Sequence, residues 1–144
     1  RLGNGLHNHP IERSHIFRYY FPAISLSEDK NKTTDDLLQK NFGLILNNFN
    51  KDTSISENNC NILTKIDFRI LNRSDSSMKS NYSKFDCFQS NGKDLDTYFS
   101  HFECNAVLIR PDKYVFDIIH FNEEDSLNQI ISNVINMLED KKLL

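Results

Sequence analysis

The stretch Ala106-Val107-Leu108-Ile109-Arg110-Pro111-Asp112-Lys113-Tyr114-Val115-Phe116-Asp117-Ile118-Ile119-His120-Phe121 decides how this chain folds. Two apolar runs flank an Arg-Pro-Asp-Lys interruption, the pattern of a β-hairpin. Pro111 presets φ for the first central turn position, and Asp112 tolerates the second. The first arm, Ala106–Ile109, shows no polar alternation, so both its faces are expected to be covered, as in a central strand.

Downstream, Leu127, Ile130, Ile131, Val134, Ile135 and Leu138 recur at i, i+3, i+4, i+7, i+8 and i+11, the stripe of an amphipathic helix. Glu123, Glu124 and Asp125 at its start and Lys141 and Lys142 at its end both suit the helix dipole. Upstream, Phe42–Phe49 and Ile62–Leu71 read as two further strands, the second alternating through Ile62, Thr64, Ile66, Phe68 and Ile70. Residues 50–61 suffice for a minimal parallel crossover. Thr34 is expected to cap one short helical turn that ends before Gly43. Residues 72–97, rich in Ser and Asn, read as a long irregular excursion, with a further helical turn over Asp96–Phe102. A hairpin closed by a terminal helix is the second half of a thioredoxin-like α/β sandwich, with a central mixed β-sheet.

The 144 residues fit one domain, and a net charge of −3 argues against a nucleic-acid or anionic-membrane surface. No apolar stretch approaches the roughly 18 residues of a membrane span. Without an initiator Met or a secretion signal, the chain is expected to be a piece of something longer. Cys60, Cys87 and Cys104 form no CxxC and are expected to be free thiols in a reducing, cytoplasmic setting. Residues 1–25, punctuated by Gly3, Gly5, Pro10 and Pro22, read as an extended arm or linker before a domain over 26–144. Within the arm, Arg18-Tyr19-Tyr20-Phe21-Pro22 is an aromatic cluster and the best docking candidate on the chain.

Reactive constellations are thin. His7, His9 and His15 lie on a polar arm that offers no rigid ligand scaffold, so they are expected to be solvated rather than metal-bound. Cys104, His101 and Asp96 name the ingredients of a thiol triad, but spacing does not constrain them. Gly3-Asn4-Gly5 follows no strand and makes no phosphate loop.

Ala106–Val115 resembles the "VLVRPDGHVAWR" signature that closes the C-terminal domain of FAD-dependent aromatic-ring hydroxylases of the phenol, pentachlorophenol and polyketide type. Arg18–Ile24 sits where that family has "G-x-R-x-P-H". Thr33–Leu46 is similar to "S-T-L-D-L-F-G-R-G-F-V-L-L", and the terminal helix matches the family's last element. The resemblance implies a thioredoxin-like domain without redox cysteines and without catalytic, cofactor-binding or metal residues of its own. Arg110, Pro111 and Asp112 would be its structural turn. FAD and the aromatic substrate would be held by preceding domains, and partners would be those domains or a second subunit, as in a homodimer. Two departures stand out. The turn Gly is Lys113 here, which costs on the order of 1 kcal/mol if φ must be positive. The family's Trp and Arg are Asp117 and Ile118. The alternative is a free-standing thioredoxin-like binding module that uses Arg18–Pro22 and the face around Asn72–Asp96. A thiol-dependent reductase or peroxidase centred on Cys104 comes third.

Overall fold

The computed structural model describes residues 20–27, 31–90 and 92–144. Its elements run α1 (Thr34–Leu38), β1 (Gly43–Asn47), α2 (Glu57–Lys65), β2 (Arg69–Arg73), β3 (Phe85–Phe88), α3 (Asp94–His101), β4 (Ala106–Ile109), β5 (Val115–Ile119) and α4 (Leu127–Asp140). The five strands form one mixed sheet in the order β3-β2-β1-β4-β5. β1, β2 and β3 are parallel, while β4 runs antiparallel to both β1 and β5.

Period-two alternation assigns each strand residue to one of two apolar layers. Leu44, Leu46, Ile70, Ala106, Leu108 and Ile119 pack under α2 and the stripe of α4. Ile45, Leu71, Val107, Ile109 and Ile118 pack on the other face, under α1, α3 and the extended segment that carries Phe21, Ile24 and Leu26. Helices on both faces explain why β4 is apolar at every position. All four of its residues are buried, and it lies inside the sheet as its sequence predicts.

The hairpin turn also forms as expected. Lys113 N–H donates to Arg110 O at 2.9 Å, and Arg110 N–H donates to Tyr114 O at 2.9 Å. Lys113 has φ 72°, the left-handed position that follows a type I turn in a bulged hairpin. A Cβ there costs about 1 kcal/mol relative to Gly, and the side chain offsets part of it. Lys113 is buried, and its Nζ donates to the carbonyls of Gln39 and Pro111. Asp112 holds the turn from outside, accepting from Tyr114 N–H at 3.1 Å and pairing with Arg110 at 2.6 Å.

The terminal helix matches its predicted stripe, all six residues being buried. Its cap is a reciprocal pair. Ser126 Oγ accepts from Gln129 N–H, and Gln129 Oε1 accepts from Ser126 N–H. Asp125, expected to face the dipole, instead accepts from Asn122 N–H in the preceding turn.

Four expectations need correction. Ile62–Leu71 is not one strand: Glu57–Lys65 is helical, and only Arg69–Arg73 joins the sheet. Asn59 and Leu63, one turn apart, are the buried face of that helix, so the crossover is longer than the minimal gap foreseen. The excursion 72–97 carries an edge strand, β3, whose first and last residues, Phe85 and Phe88, are buried. Helix α3 begins two residues before Asp96. The cap of α1 is Thr33, whose N–H donates to Asp36 at 2.8 Å. Thr34 is instead fully buried, and its Oγ1 accepts from Ile24 N–H at 3.0 Å, tying the segment before α1 to the body. That segment lies across the boundary expected at residue 25. Phe21, Ile24 and Leu26 of that segment are buried in the second apolar layer.

Candidate functional site

In an open sheet with parallel strands, ligands bind beyond the carboxyl ends of those strands, where the chain changes direction across the sheet. Here that place is the end of β1, from which the chain passes to β2 on one side while β4 lies on the other. The loop 48–56 and the N-terminus of α2 form it.

Amides and hydroxyls hold this loop from three directions. Fully buried Asn72, on β2, accepts from Phe49 N–H at 3.0 Å and donates to Phe49 O at 2.8 Å, reproducing a strand pairing with one side chain. Asn81 does the same for Ile55, accepting from its N–H at 2.8 Å and donating to its carbonyl at 2.7 Å. Thr53 is clamped between Lys79 O, to which its Oγ1 donates, and Ser80 Oγ, which donates to Thr53 O. From α4, Asn128 Oδ1 accepts from both Ser56 N–H and Asn59 Nδ2, while Asn59 Nδ2 also reaches Ser132 Oγ.

Consequently the N-terminus of α2 is occupied. Ser56 Oγ caps Asn59 N–H at 3.2 Å, and Asn128 takes Ser56 N–H. Two of the donors that an anion would meet at a helix start are therefore taken by side chains. Cys60 lies one turn inside α2, with Sγ toward Ile55 O at 3.8 Å. Burial, and to a lesser degree the Glu57 carboxylate, push its thiol above the ordinary range. A reactive thiol needs the opposite shift.

Cys104, the centre of the conceivable triad, is buried in the second apolar layer, where burial pushes its thiol up to about 12. Asp96 is on the surface, paired with Arg73, whose guanidinium holds that carboxyl below the usual range. His101 is exposed, its ring 4.6 Å from Phe102. Asp96 and His101 share an open surface groove of about 470 Å³ with Lys93, Thr97 and Ser100. The structure therefore brings Asp96 and His101 together but sets Cys104 in the core. With its pKa near 12 against an ordinary 9.0, the Cys104 thiolate fraction near neutrality falls about a thousandfold. Native protein titrated with a thiol reagent at pH 8 should modify Cys104 at least about tenfold more slowly than Cys60 or Cys87, which are half-buried. Equal rates for all three would show that this layer opens freely.

His7, His9, His15, Arg18 and Tyr19 lie outside the described residues. Of the aromatic cluster, Tyr20 is exposed and bridges Tyr114, its ring 5.4 Å away edge-on. Phe21 turns inward, fully buried with its ring 5.2 Å from Tyr98. Pro22 is exposed. Among the described residues no group of three or more His, Cys, Asp or Glu is placed to hold a metal, and no helix is long and apolar enough to cross a membrane. Sequence reading missed the residues that organise this site, namely Asn59, Asn72, Asn81 and Asn128. In a chain where Asn is everywhere, nothing marks the four that bind backbone.

Residues 20–134 match the HcaD C-terminal domain. The chain belongs to that family. The HcaD C-terminal domain here has a thioredoxin-like fold. One similar solved structure is a yeast mitochondrial 1-Cys peroxiredoxin, at 8% identity and TM-score 0.52, covering 88% of this chain and 78% of that one. Another is BsSco, a member of the Sco family of cytochrome c oxidase assembly proteins, at 16% identity and TM-score 0.47, covering 83% of this chain and 93% of that one. No curated protein matches the sequence of this HcaD C-terminal domain.

Proposed function

We propose that this chain is the non-catalytic C-terminal thioredoxin-like domain of an FAD-dependent aromatic monooxygenase, with a structural or subunit-contact role. The observation that carries the reading is the backbone at Lys113. The hydroxylase signature places Gly directly after Arg-Pro-Asp, and here that position takes φ 72° although its residue is Lys. The demand for a left-handed residue is thus shared even where the residue type is not. Membership in a family named for a C-terminal domain agrees with it.

The loop after β1 supports the same reading from the chemical side. Its donors and acceptors are used to fix shape, burial raises the pKa of its nearest thiol, and the helix start is capped by Ser56 and Asn128. FAD, in this reading, belongs to the preceding domains of the parent. It would supply the oxygen-transfer chemistry there. Partners are those domains or a second subunit, and free Cys60, Cys87 and Cys104 accord with a reducing, cytoplasmic setting.

The purified chain mixed with FAD should show no flavin absorbance after gel filtration, whereas the native parent should be a single polypeptide several times larger and yellow. Stoichiometric flavin on the chain alone would overturn the proposal. A native mass equal to this chain alone would favour the free-standing binding module.

A further inference from the structure

Three sulfur atoms border the strap of residues 78–81, which holds the loop 48–56 from outside. Cys60 Sγ accepts from Asn81 Nδ2 at 3.8 Å, and Cys87 Sγ donates to Met78 O at 3.5 Å. The third is the thioether of Met78, which accepts from Asn72 Nδ2 at 3.8 Å. That same nitrogen donates to Phe49 O at 2.8 Å. Asn72 is fully buried, so its remaining N–H is matched only with a weak acceptor.

Both ties on the loop meet at Met78. Its sulfur touches Asn72, which holds Phe49. The residues directly after it hold Thr53 and Ile55, through Lys79 O, Ser80 Oγ and the Asn81 amide. Met78 is half-buried against the first apolar layer, so a small oxidant reaches it from solvent. A hydroperoxide would transfer one oxygen atom to the sulfur. The O–O bond breaks, the thioether gives up two electrons, and hydrogen peroxide leaves as water. The product is polar where the thioether was apolar. Aimed at Asn72, the new oxygen has no room for a hydrogen bond of normal length, because sulfur and nitrogen are only 3.8 Å apart. Turned into the apolar layer, it is a buried acceptor without a donor. Asn72 is fixed by strand β2 and by its two bonds to Phe49, whereas Met78 sits on a loop with a flexible side chain. Met78 is the side that gives way, toward water, and Lys79, Ser80 and Asn81 move with it. We infer that Met78 is an oxidation site, and that its conversion to the sulfoxide by a hydroperoxide releases the loop 48–56 beyond β1.

The test treats the protein with hydrogen peroxide and then with dithiothreitol, which reverses sulfenic acids and disulfides but leaves methionine sulfoxide in place. Peptide mass mapping should find one added oxygen on Met78. Hydrogen exchange across residues 48–56 should quicken at least about tenfold while β1 and β4 stay protected, and methionine sulfoxide reductases should restore the slow rate. M78L conserves volume and keeps Met137 and all three cysteines, and the same treatment should leave its exchange unchanged. Equal acceleration in M78L would move the effect to the thiols or Met137 and overturn the inference. So would full sulfoxide at Met78 without faster exchange, or a Met78 that stays unoxidised in the folded protein. If M78L loses its fold, M137L makes the same distinction: acceleration that the reductases reverse belongs to Met78, and acceleration that they leave in place belongs to the thiols and overturns the inference.

Discussion

Phe21→Ala should destabilise the domain by about 4 kcal/mol, as a fully buried Phe truncated in a packed layer does. The side chain has no exposed surface, sits edge-on to Tyr98, and belongs to the layer that covers Val107, Ile109 and Ile118. The hydrogen bond from its own N–H to Lys113 O and the reciprocal bonds between Ile24 and Thr34 anchor the segment on either side of it. Without the ring, either a cavity remains or the segment lifts, and lifting uncovers Ile24 and Leu26 as well. Against a typical total of about 5–15 kcal/mol, the variant should be near the edge of folding. Tyr20→Ser, one residue away, should cost less than about 1 kcal/mol, because that ring is half in solvent. Urea denaturation of the two variants and the parent chain measures both. A loss below about 1 kcal/mol for Phe21→Ala would show that residues before 26 are an appendage and not part of the packed body.

The contrast between these neighbours shows how far sequence reading reaches. An aromatic cluster announces that something will be buried, but composition does not say against what. The hairpin and α4 were legible because each is long enough to show its own period and carries its own punctuation, Pro111-Asp112 in one and the six-residue stripe in the other. Residues 57–65 were not. Glu-Asn-Asn-Cys-Asn is a poor helix former, and the alternation of Ile62, Thr64 and Ile66 mimics a strand. The Ser56 cap, the Asn59 bonds to α4 and the burial of Leu63 are tertiary facts that override local preference. Strand β3 is four residues inside a Ser- and Asn-rich stretch, too short for any pattern to register. The candidate site was the least legible part, since its residues work by hydrogen bonding to backbone and have no characteristic spacing.

The same reasoning makes Asn72→Leu the most informative single change at the candidate site. Leucine has the branching of asparagine with bulkier methyl ends and would suit a fully buried position on β2 by apolar area alone. Burial would therefore favour the substitution slightly. What it removes is the pair of bonds to Phe49, the acceptor for Phe49 N–H at 3.0 Å and the donor to Phe49 O at 2.8 Å. Phe49 is itself buried, its ring 5.5 Å from Phe121, so water does not replace the lost partners without displacing the loop. Two buried backbone groups left unsatisfied, at roughly 1–3 kcal/mol each, outweigh the gain in apolar contact, and a net loss of about 3 kcal/mol is expected. Hydrogen exchange should show a second effect, faster exchange across residues 48–56 at denaturant concentrations where the sheet remains protected, because the loop would lose its tie to β2 through Asn72 and keep those at Thr53, Ile55 and Ser56. Unchanged stability and unchanged exchange in Asn72→Leu would mean that the loop is held by its apolar anchors, Phe49 and Ile55, and that the amide network follows the shape of the site without setting it.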